Sequence, residues 1–335
     1  MKEEYKKLFQ PHFDGLELPE IADEPLVSII MGHYNCEKYL PEFLDALIAQ
    51  TYTNWELLLV DDCSPSGGAE AIVAAYGDSR IHFAQLEQNS GAGTARNAAF
   101  AMSRGEYIVC FDPDDIMHPW FLHMLVSTAL DNSSPDIVMY DLQCFGSSLA
   151  VWKGDVKDER SLTLKNWIIS QSLVKRALWD ATGGYSTAEE IRKGSMDWEF
   201  WLHAAEYVSP LKVAHVPVCL MLYRRHDDSM SAKSDFHEYS IRKRILVDRP
   251  TLFERYGTGE TFLAEGYAMS FYAHADVRSW RKAFAILREG WQTLPAPLLW
   301  RSSKKPIKEL VRIGLRRLGR KYILNPLGLM PKNDT

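Results

Sequence analysis

Between residues 27 and 140 the sequence alternates five short apolar runs with four stretches of helical spacing. The apolar runs are VSIIM, ELLLV, IHFAQL, YIVCF and DIVMY, which begin at residues 27, 56, 81, 107 and 136. The helical stretches between them lie at residues 39–49, 68–76, 94–102 and 120–130. Nearly continuous apolar strands that alternate with helices are typical of a parallel sheet covered by helices on both faces. The alternation therefore predicts an α/β fold with a mainly parallel central sheet flanked by helices.

Two acidic loops follow apolar runs, at the edge where an open parallel sheet binds its ligand. Asp61 and Asp62 follow the second run, and Asp112, Asp114 and Asp115 follow the fourth. Carboxylates this close together repel one another unless a cation is near, and oxygen ligands of this kind suit Mg²⁺ or Mn²⁺. A single aspartate in such a loop is more often a turn or capping residue. Two clusters at strand ends favour a divalent-metal site.

A glycine-containing segment, NSGAGTARNAAF, occupies residues 89–100. Gly91 and Gly93 let a ligand approach the backbone, and Arg96 is placed to reach a phosphate from the first turns of a helix. Arg96 also stands where a dinucleotide-binding fingerprint has its third glycine or alanine, and the sequence has no GK[ST] motif. The segment therefore predicts a phosphorylated ligand. A dehydrogenase or a P-loop protein is disfavoured, because the motif that would identify each of them is missing.

Six segments in this order resemble the motifs of the family 2 glycosyltransferases, which are inverting enzymes of the GT-A fold. The segments are VSIIMGHYNCEKYL, ELLLVDDCS, NSGAGTARN, FDPDD, MDWEFWL and LYRRHDDSMS. The resemblance covers roughly residues 25–232 and leaves the remaining helical third uncovered. It implies a GT-A type nucleotide-binding fold, and the helical pattern beyond about residue 236 adds a helical C-terminal region.

The resemblance also implies roles for individual residues at the matching positions. Nucleotide-binding residues would be Gly32 and Tyr34 in the loop after the first strand, Asp62, Asn89, Arg96 and Asp112. Asp61 would be the less favoured nucleoside partner beside Asp62. Asp112 and Asp114 match the DxD pair of the family, and Asp114 and His226 would hold Mn²⁺ or Mg²⁺. Asp197 matches the catalytic general base.

Two positions depart from the family pattern. Met196 precedes Asp197 where many relatives have a second acid, and Gly32 stands where relatives commonly have proline, a substitution that loosens a turn. Simpler interpretations stay open for three sets of side chains. They are Asp197 as a helix cap, His226 as an ordinary hydrogen-bonding histidine, and Trp198 and Trp201 as core residues instead of sugar-stacking ones.

The implied reaction is a metal-dependent, inverting transfer of a hexosyl or N-acetylhexosaminyl group from a nucleotide-diphosphate sugar. UDP-sugars are the default donors, and the acceptor hydroxyl would belong to a glycan or lipid-linked molecule in cell-surface glycan synthesis. Two alternatives stay open: a nucleotidyltransferase, which would release pyrophosphate, and a module that binds the donor without turnover.

The predicted domains follow from these segments. Residues 1–25 are charged and contain proline, so we expect an N-terminal arm. Residues 26–235 would form the GT-A catalytic domain, with a nucleotide-binding half at 26–140 and an acceptor or catalytic half at 141–235. Within the second half, residues 211–223 suggest a pair of strands. Residues 236–335 would form a helical, basic C-terminal region.

Charge and cysteine content restrict the cellular setting. A formal net charge of -6 argues against a nucleic-acid partner. The five cysteines contain no CxxC pair, which favours reduced thiols in a cytoplasmic protein. No leader sequence or spanning stretch of roughly 18 apolar residues is recognised.

The C-terminal region is basic, with thirteen Lys and Arg against three Asp and Glu between Ser279 and Thr335. Its segment 304–321 places apolar residues at helical spacing opposite the cations. This pattern predicts either a helix bound to an anionic membrane surface or a helix packed on the catalytic domain. The first interpretation would make the protein peripheral on the inner face of the cell membrane.

Overall fold

A computed structural model of the chain describes residues 1–131, 133–225, 234–276 and 279–294. The described residues fall into two compact units. The first runs from Met1 to Thr187 and resumes at Met196, and the second contains Ala188–Ser195 and the helices that follow residue 233.

The described part of the first unit contains nine strands and eight α-helices. The strands are β1 Val27–His33, β2 Trp55–Asp61, β3 Ile81–Gln85, β4 Tyr107–Cys110, β5 Ile116–Met117, β6 Ile137–Gly146, β7 Val151–Trp152, β8 Leu173–Lys175 and β9 Val213–Arg225. The helices are α1 Glu3–Phe13, α2 Leu40–Ile48, α3 Gly68–Tyr76, α4 Ala92–Met102, α5 Phe121–Ala129, α6 Glu159–Leu162, α7 Arg176–Thr182 and α8 Met196–Tyr207.

All nine strands join one sheet in the order β3-β2-β1-β4-β8-β6-β9-β5, with β7 paired to β6. The first four strands are parallel to one another, because helices return the chain between them. Beyond β4 the sheet is mixed: β8 is antiparallel to β4 and β6, whereas β6 and β9 are parallel. The predicted α/β class with a central sheet flanked by helices is confirmed.

The predicted strand pair at residues 211–223 is wrong, because β9 is a single strand of 13 residues. Its register against β6 shifts where Tyr140 pairs with Val216 and Asp141 pairs with Cys219. Pro217 therefore lies in a bulge, where its missing N–H removes no hydrogen bond from the ladder. The strand continues through the proline.

The N-terminal segment contributes to the core of the first unit. Tyr5 and Phe9 of α1 are buried in the same hydrophobic cluster as β1, β2 and β4. The Phe9 ring lies 5.0 Å from the ring of His118 and 6.2 Å from that of Phe13, both in edge-on geometry. Residues 3–13 are thus a packed helix within the segment that was predicted to be an arm.

The described part of the second unit is helical, as expected for the C-terminal region. Its α-helices span Glu238–Asp248, Pro250–Tyr256, Gly259–Asp276 and Trp280–Thr293, and short 3₁₀ turns span Ile191–Lys193 and Ser234–His237. Buried Arg242 pairs with Glu238 at 3.0 Å and with Glu265 at 3.2 Å, which satisfies its charge inside the helical bundle. The basic segment 304–321 lies outside the described residues. No helix in the described ranges is both long and apolar enough to cross a membrane.

Candidate active site

The acidic loop after β4 is held by hydrogen bonds from two directions. Asp115 is buried, and its carboxylate accepts hydrogen bonds from the backbone N–H of Arg224 at 2.8 Å and from Gln171 Nε2 at 3.1 Å. Gln171 Nε2 also reaches Asp112 Oδ2 at 3.3 Å. Burial raises the pKa of Asp115, and the neighbouring charges of Asp114 and Asp112 raise it further. Asp115 is therefore an internal anchor of the loop, whereas the Asp112 side chain keeps 32% of its surface exposed.

Arg224 links this acidic loop to two other elements. Its Nε donates to the carbonyl oxygen of Asp114 at 2.8 Å, and its Nη2 donates to Glu42 on α2 at 2.8 Å. The guanidinium also lies over the rings of Tyr39 and Phe145, at 4.6 and 4.4 Å from the ring centroids. Arg224 thereby holds the loop against β9 and α2.

Arg96 approaches the acidic loop from α4. Its guanidinium is buried and forms an ion pair with Asp112, while Nη1 donates to Met196 Sδ at 3.3 Å. Burial by itself lowers the pKa of Arg96, but the charge of Asp112 outweighs burial, so the net pKa is raised. Arg96 thus stays charged and positions the predicted nucleotide residue Asp112.

Gly32 belongs to β1, so its prediction as a loop residue is wrong. A Cβ at this position would lie 3.3 Å from both the carbonyl oxygen of Ala92 and the Cβ of Ala95. Glycine lets helix α4 pack directly on β1, and this close packing places Arg96. Gly32 therefore permits close packing of the helix on the strand and does not loosen a turn.

Asp61 and Asp62 are both buried and both hold neighbouring backbone. Asp61 accepts hydrogen bonds from His33 Nδ1 at 2.7 Å and from the backbone N–H of Ser64 at 2.8 Å. Burial tends to raise the pKa of Asp61, but the hydrogen bonds from Ser64 and His33 outweigh it and lower the pKa. Asp62 accepts from the backbone N–H groups of Ser90 and Gly91 at 2.6 and 2.7 Å, so it orders the glycine-containing segment.

The other two predicted nucleotide residues are open to solvent. Tyr34 follows β1 directly and is 43% exposed, and Asn89 is exposed in the segment that Asp62 orders. Both follow parallel strands at the edge where the acidic loop after β4 also lies. An exposed aromatic ring at this edge offers a surface on which a base can stack.

Asp197 lies in the first turn of α8 and is positioned by a residue from a distant loop. Its Oδ2 accepts a hydrogen bond from Asn166 Nδ2 at 2.9 Å. Burial raises the pKa of Asp197, although hydrogen bonds from Trp198 and Asn166 and the charge of Arg96 oppose the rise. A carboxylate with a raised pKa is suited to accept a proton.

A pocket of about 320 Å³ contains the predicted base and, through Gln171, borders on the acidic loop. It is lined by Leu142, Cys144, Trp152, Asn166, Trp167, Ile168, Ile169, Ser170, Gln171, Asp197, Tyr223 and Arg225. Gln171 connects the pocket to Asp112, and Asp197 lines its wall. Trp198 and Trp201 are buried in the core, so the core interpretation is correct for them and the aromatic lining comes from Trp152, Trp167 and Tyr223.

The predicted metal ligands are Asp114 of the acidic loop and His226. His226 lies outside the described residues, and within the described part of the chain no group of three or more His, Cys, Asp or Glu residues is arranged to hold a metal. Mg²⁺ sites in nucleotide enzymes usually use one or two carboxylates, with substrate phosphates and water completing the shell. Asp112 and Asp114 fit that kind of site.

Sequence reasoning missed Asn166, Gln171 and Arg224. Asn166 and Gln171 are isolated amides in an irregular segment and carry no motif. Arg224 lies inside the LYRRHDDSMS segment, in which the resemblance implies a role for the histidine and none for the two arginines before it. Its neighbours Asp114 and Glu42 come from other parts of the chain.

The comparisons with known proteins agree with the resemblance. The family model described as glycosyl transferase family 2 matches residues 28–186. A protein of Escherichia coli strain K12 named as the colanic acid biosynthesis glycosyl transferase WcaA is 38% identical over 270 residues, covering 69% of this chain and 94% of that protein. The Escherichia coli UDP-Glc:alpha-D-GlcNAc-diphosphoundecaprenol beta-1,3-glucosyltransferase WfgD is 40% identical over 111 residues, covering 33% of this chain.

Some of these matches are partial. Three curated relatives, WfgD among them, are matched over only 24% to 44% of their own length. A crystal structure of S. aureus TarS 1-349 in complex with UDP-GlcNAc superposes with a TM-score of 0.65 at 18% identity, over 90% of this chain and 89% of TarS. That likeness confirms the predicted GT-A type fold. Because WcaA is matched over nearly its whole length at 38% identity, the chain belongs to glycosyl transferase family 2.

Proposed function

We propose that this protein transfers a sugar from a nucleotide-diphosphate sugar to an acceptor hydroxyl with inversion of configuration. One observation carries the proposal: the pocket of about 320 Å³ contains Asp197 and also Gln171, which is hydrogen-bonded to Asp112 and Asp115. The proposed base for the acceptor therefore lies in the same cavity as the amide that holds the carboxylates of the proposed donor loop.

The names of similar proteins support the choice of donor and product. WfgD is named for UDP-Glc, and TarS was solved with UDP-GlcNAc, so a UDP-linked hexose or N-acetylhexosamine is the proposed donor. WcaA is named for colanic acid biosynthesis. We assign the proposed product to the same broad class, a cell-surface glycan.

The proposed mechanism needs one proton transfer and one displacement. Asp197 accepts the proton of the acceptor hydroxyl, and the oxygen attacks the anomeric carbon from the face opposite the diphosphate. Asn166 holds the carboxylate of Asp197 in place through its 2.9 Å hydrogen bond. The attack forms the new glycosidic bond as the bond to the diphosphate breaks, so configuration inverts without a covalent sugar-enzyme intermediate.

Side chains on the donor side hold the acidic loop in place. Arg96 pairs with Asp112, and Arg224 binds the backbone of Asp114. Mn²⁺ or Mg²⁺ held by Asp112 and Asp114, with His226 as a further proposed ligand, would stabilise negative charge on the leaving diphosphate. These carboxylates are already ordered in the folded protein, so donor binding does not have to supply the free energy of ordering them.

A panel of UDP-, GDP- and dTDP-sugars tests the proposal, with thermal shift measured in Mn²⁺ and in excess chelator. We expect one donor to raise the melting temperature in Mn²⁺ only, and to release nucleoside diphosphate when an acceptor is added. Release of pyrophosphate would indicate nucleotidyl transfer instead. Binding without release in the presence of a broad acceptor set would indicate a binding module.

The proposed location is the cytoplasmic face of the cell membrane. A lipid-linked acceptor would be presented there, and the basic segment 304–321 has the cation-rich amphipathic sequence that attaches proteins to anionic headgroups. The segment lies outside the described residues, so the proposal depends on its sequence alone.

A further inference from the structure

The pocket beside Asp197 is also lined by residues of β7 and β9. Trp152 belongs to β7, Tyr223 and Arg225 belong to β9, and Trp167 adds a third aromatic ring to the lining. Such a mixture of aromatic rings with a few polar groups is typical of a small-molecule site. Sequence reasoning assigned no role to Arg225, although it directly follows Arg224.

The backbone under Arg225 is held firmly by the β6–β9 ladder. Tyr223 pairs with Cys144 and Arg225 pairs with Gly146. The carbonyl oxygen of Arg225 accepts hydrogen bonds from the backbone N–H and the hydroxyl of Ser147, both at 3.1 Å. The direction of the Arg225 side chain is therefore set by regular strand geometry.

Alternation along β9 separates the two neighbouring arginines. Arg224 points to one side and pairs with Glu42, whereas Tyr223 and Arg225 line the pocket. The guanidinium of Arg225 lies 6.0 Å from the centroid of the Tyr223 ring. Arg224 is thus a structural residue, and Arg225 faces the space that a substrate would fill.

The charge of Arg225 lacks a carboxylate partner among the residues that the structure describes. The described side chains that line the pocket include one acid, Asp197, and one base, Arg225. Arginine is always protonated, and its planar guanidinium matches the geometry of a phosphate or carboxylate. A half-buried arginine facing a substrate pocket gains a counterion when an oxyanion binds there.

We propose that Arg225 selects acceptor sugars that carry an oxyanion, either a phosphate or a carboxylate. The oxyanion binds the guanidinium, the sugar ring packs against the aromatic lining, and the attacking hydroxyl faces Asp197. This inference rests on the proposed function, because it takes the pocket around the base as the acceptor site.

The first experiment measures binding without turnover, by saturation-transfer NMR in the presence of UDP. Two matched pairs of probes separate the sources of the oxyanion: N-acetylglucosamine 1-phosphate against methyl N-acetylglucosaminide, and methyl glucuronide against methyl glucoside. We expect the charged member of at least one pair to bind about tenfold more tightly than its neutral partner, the size expected for a charge-assisted hydrogen-bonded pair. The pair that shows the preference identifies phosphate or carboxylate.

Variants then assign the preference to Arg225. Arg225→Gln should abolish the difference in affinity between charged and neutral probes. Arg225→Lys should retain part of this difference, because lysine keeps the positive charge but lacks the planar guanidinium with its several N–H donors. Arg160→Gln, which removes an exposed arginine elsewhere in the same unit, is the matched control and should behave like wild type. Unchanged melting temperature and UDP affinity would show that the Arg225→Gln protein is folded.

Two results would overturn the inference. One is that the wild-type protein binds charged and neutral probes with equal affinity. The other is that Arg225→Gln weakens the binding of charged and neutral probes by the same factor. Failure of the proposed function has a different signature, because no donor would then release nucleoside diphosphate with any acceptor. Normal release that is insensitive to Arg225→Gln would remove the acceptor inference alone.

Discussion

At the scale of single residues, Met196 changes the electrostatic surroundings of the predicted base. Its sulfur accepts a hydrogen bond from Arg96 Nη1 at 3.3 Å, in the position where many relatives have a second acid. A thioether is a weak acceptor without charge, so the carboxylate of Asp112 is the anionic partner of Arg96 among the described residues. The charge of Arg96 also lowers the pKa of Asp197. The methionine therefore leaves Arg96 to hold Asp112.

Replacing the base should separate turnover from donor binding. Asp197→Asn removes the proton acceptor, so we expect the release of nucleoside diphosphate to slow by roughly 10²-fold or more. The donor affinity and the melting temperature should stay close to wild type, because the amide keeps the shape of the carboxylate. Asp180→Asn, an exposed position on α7, is the control. Normal turnover in Asp197→Asn would make Asp197 a capping residue.

The pH dependence of kcat/KM should report the same carboxylate. A general base works only when deprotonated, so activity falls as the pH drops through the pKa of Asp197. Burial raises that pKa, and the hydrogen bond from Asn166 opposes the rise because it favours the charged form. Asn166→Ala should therefore shift the acidic limb of the profile to higher pH.

A remote amide provides the control for this shift. Asn54→Ala removes a side chain that donates to the carbonyl oxygen of Glu24, away from the pocket, and should leave the profile unchanged. An acidic limb that stays in place in Asn166→Ala would show that another group limits the rate.

The metal proposal is tested at Asp114. Asp114→Asn removes one anionic oxygen ligand, so we expect UDP binding in Mn²⁺ to weaken by at least about tenfold, measured by titration calorimetry. In excess chelator, UDP binding should be the same in the variant and in the wild-type protein. Asp155→Asn, an exposed carboxylate that pairs with Lys157, is the matched control. Equal UDP binding with and without Mn²⁺ in the wild-type protein would remove the metal argument.

At the scale of elements, the contact between β1 and α4 determines where Arg96 lies. Gly32→Ala would place a Cβ 3.3 Å from the backbone of Ala92 and from the Ala95 side chain, so the helix has to move. We expect a loss of about 1–3 kcal/mol in the free energy of unfolding, which is typical of overpacking, measured by urea denaturation. UDP affinity should fall as well, because Arg96 moves with the helix.

Another glycine offers a matched control for this effect. In Gly68→Ala the new Cβ would meet Glu37 Cγ at 3.7 Å, an ordinary contact, so stability should change little. If Gly32→Ala were as stable as Gly68→Ala and bound UDP normally, the packing of α4 on β1 would not be the reason why residue 32 is glycine.

Helix α1 illustrates how an element can be hidden in a charged segment. Of its 11 residues, Tyr5 and Phe9 are buried, and the rest of the sequence EEYKKLFQPHF is mainly charged or polar. The side chains of Tyr5 and Lys2 both interact with Glu42 on α2, which joins the N-terminal segment to the sheet-covering helices. Two apolar anchors four residues apart are enough to attach one face of a helix.

At the scale of the whole molecule, we predict that the full-length chain co-sediments with vesicles containing anionic lipid. The physical reason is the basic segment 304–321, in which each cation near the surface contributes roughly 1 kcal/mol that salt screens. High salt should therefore release the protein. A version that ends at Leu299 retains all the described helices and should stay in the supernatant. Equal sedimentation of both versions, or of neither, would favour the packed-helix interpretation.

The sequence alone determined the features that depend on local pattern. Apolar runs at residues 27–31, 56–60 and 107–111 predicted buried strands, and the structure has β1, β2 and β4 there. Acidic residues directly after a strand necessarily lie at its carboxyl end, so the position of Asp112 and Asp114 followed from the same pattern. Periodicity and chain order are properties of neighbouring residues, which makes them visible before folding.

Only the tertiary structure decided which distant side chains meet. Asn166 and Asp197 are 31 residues apart, Arg96 and Met196 are 100 apart, and Arg224 and Glu42 are 182 apart. These contacts depend on strand order and on the register of β9 against β6, which no local pattern encodes. The same register directs Arg225 into the pocket and Arg224 away from it, because successive side chains of a strand point to opposite faces.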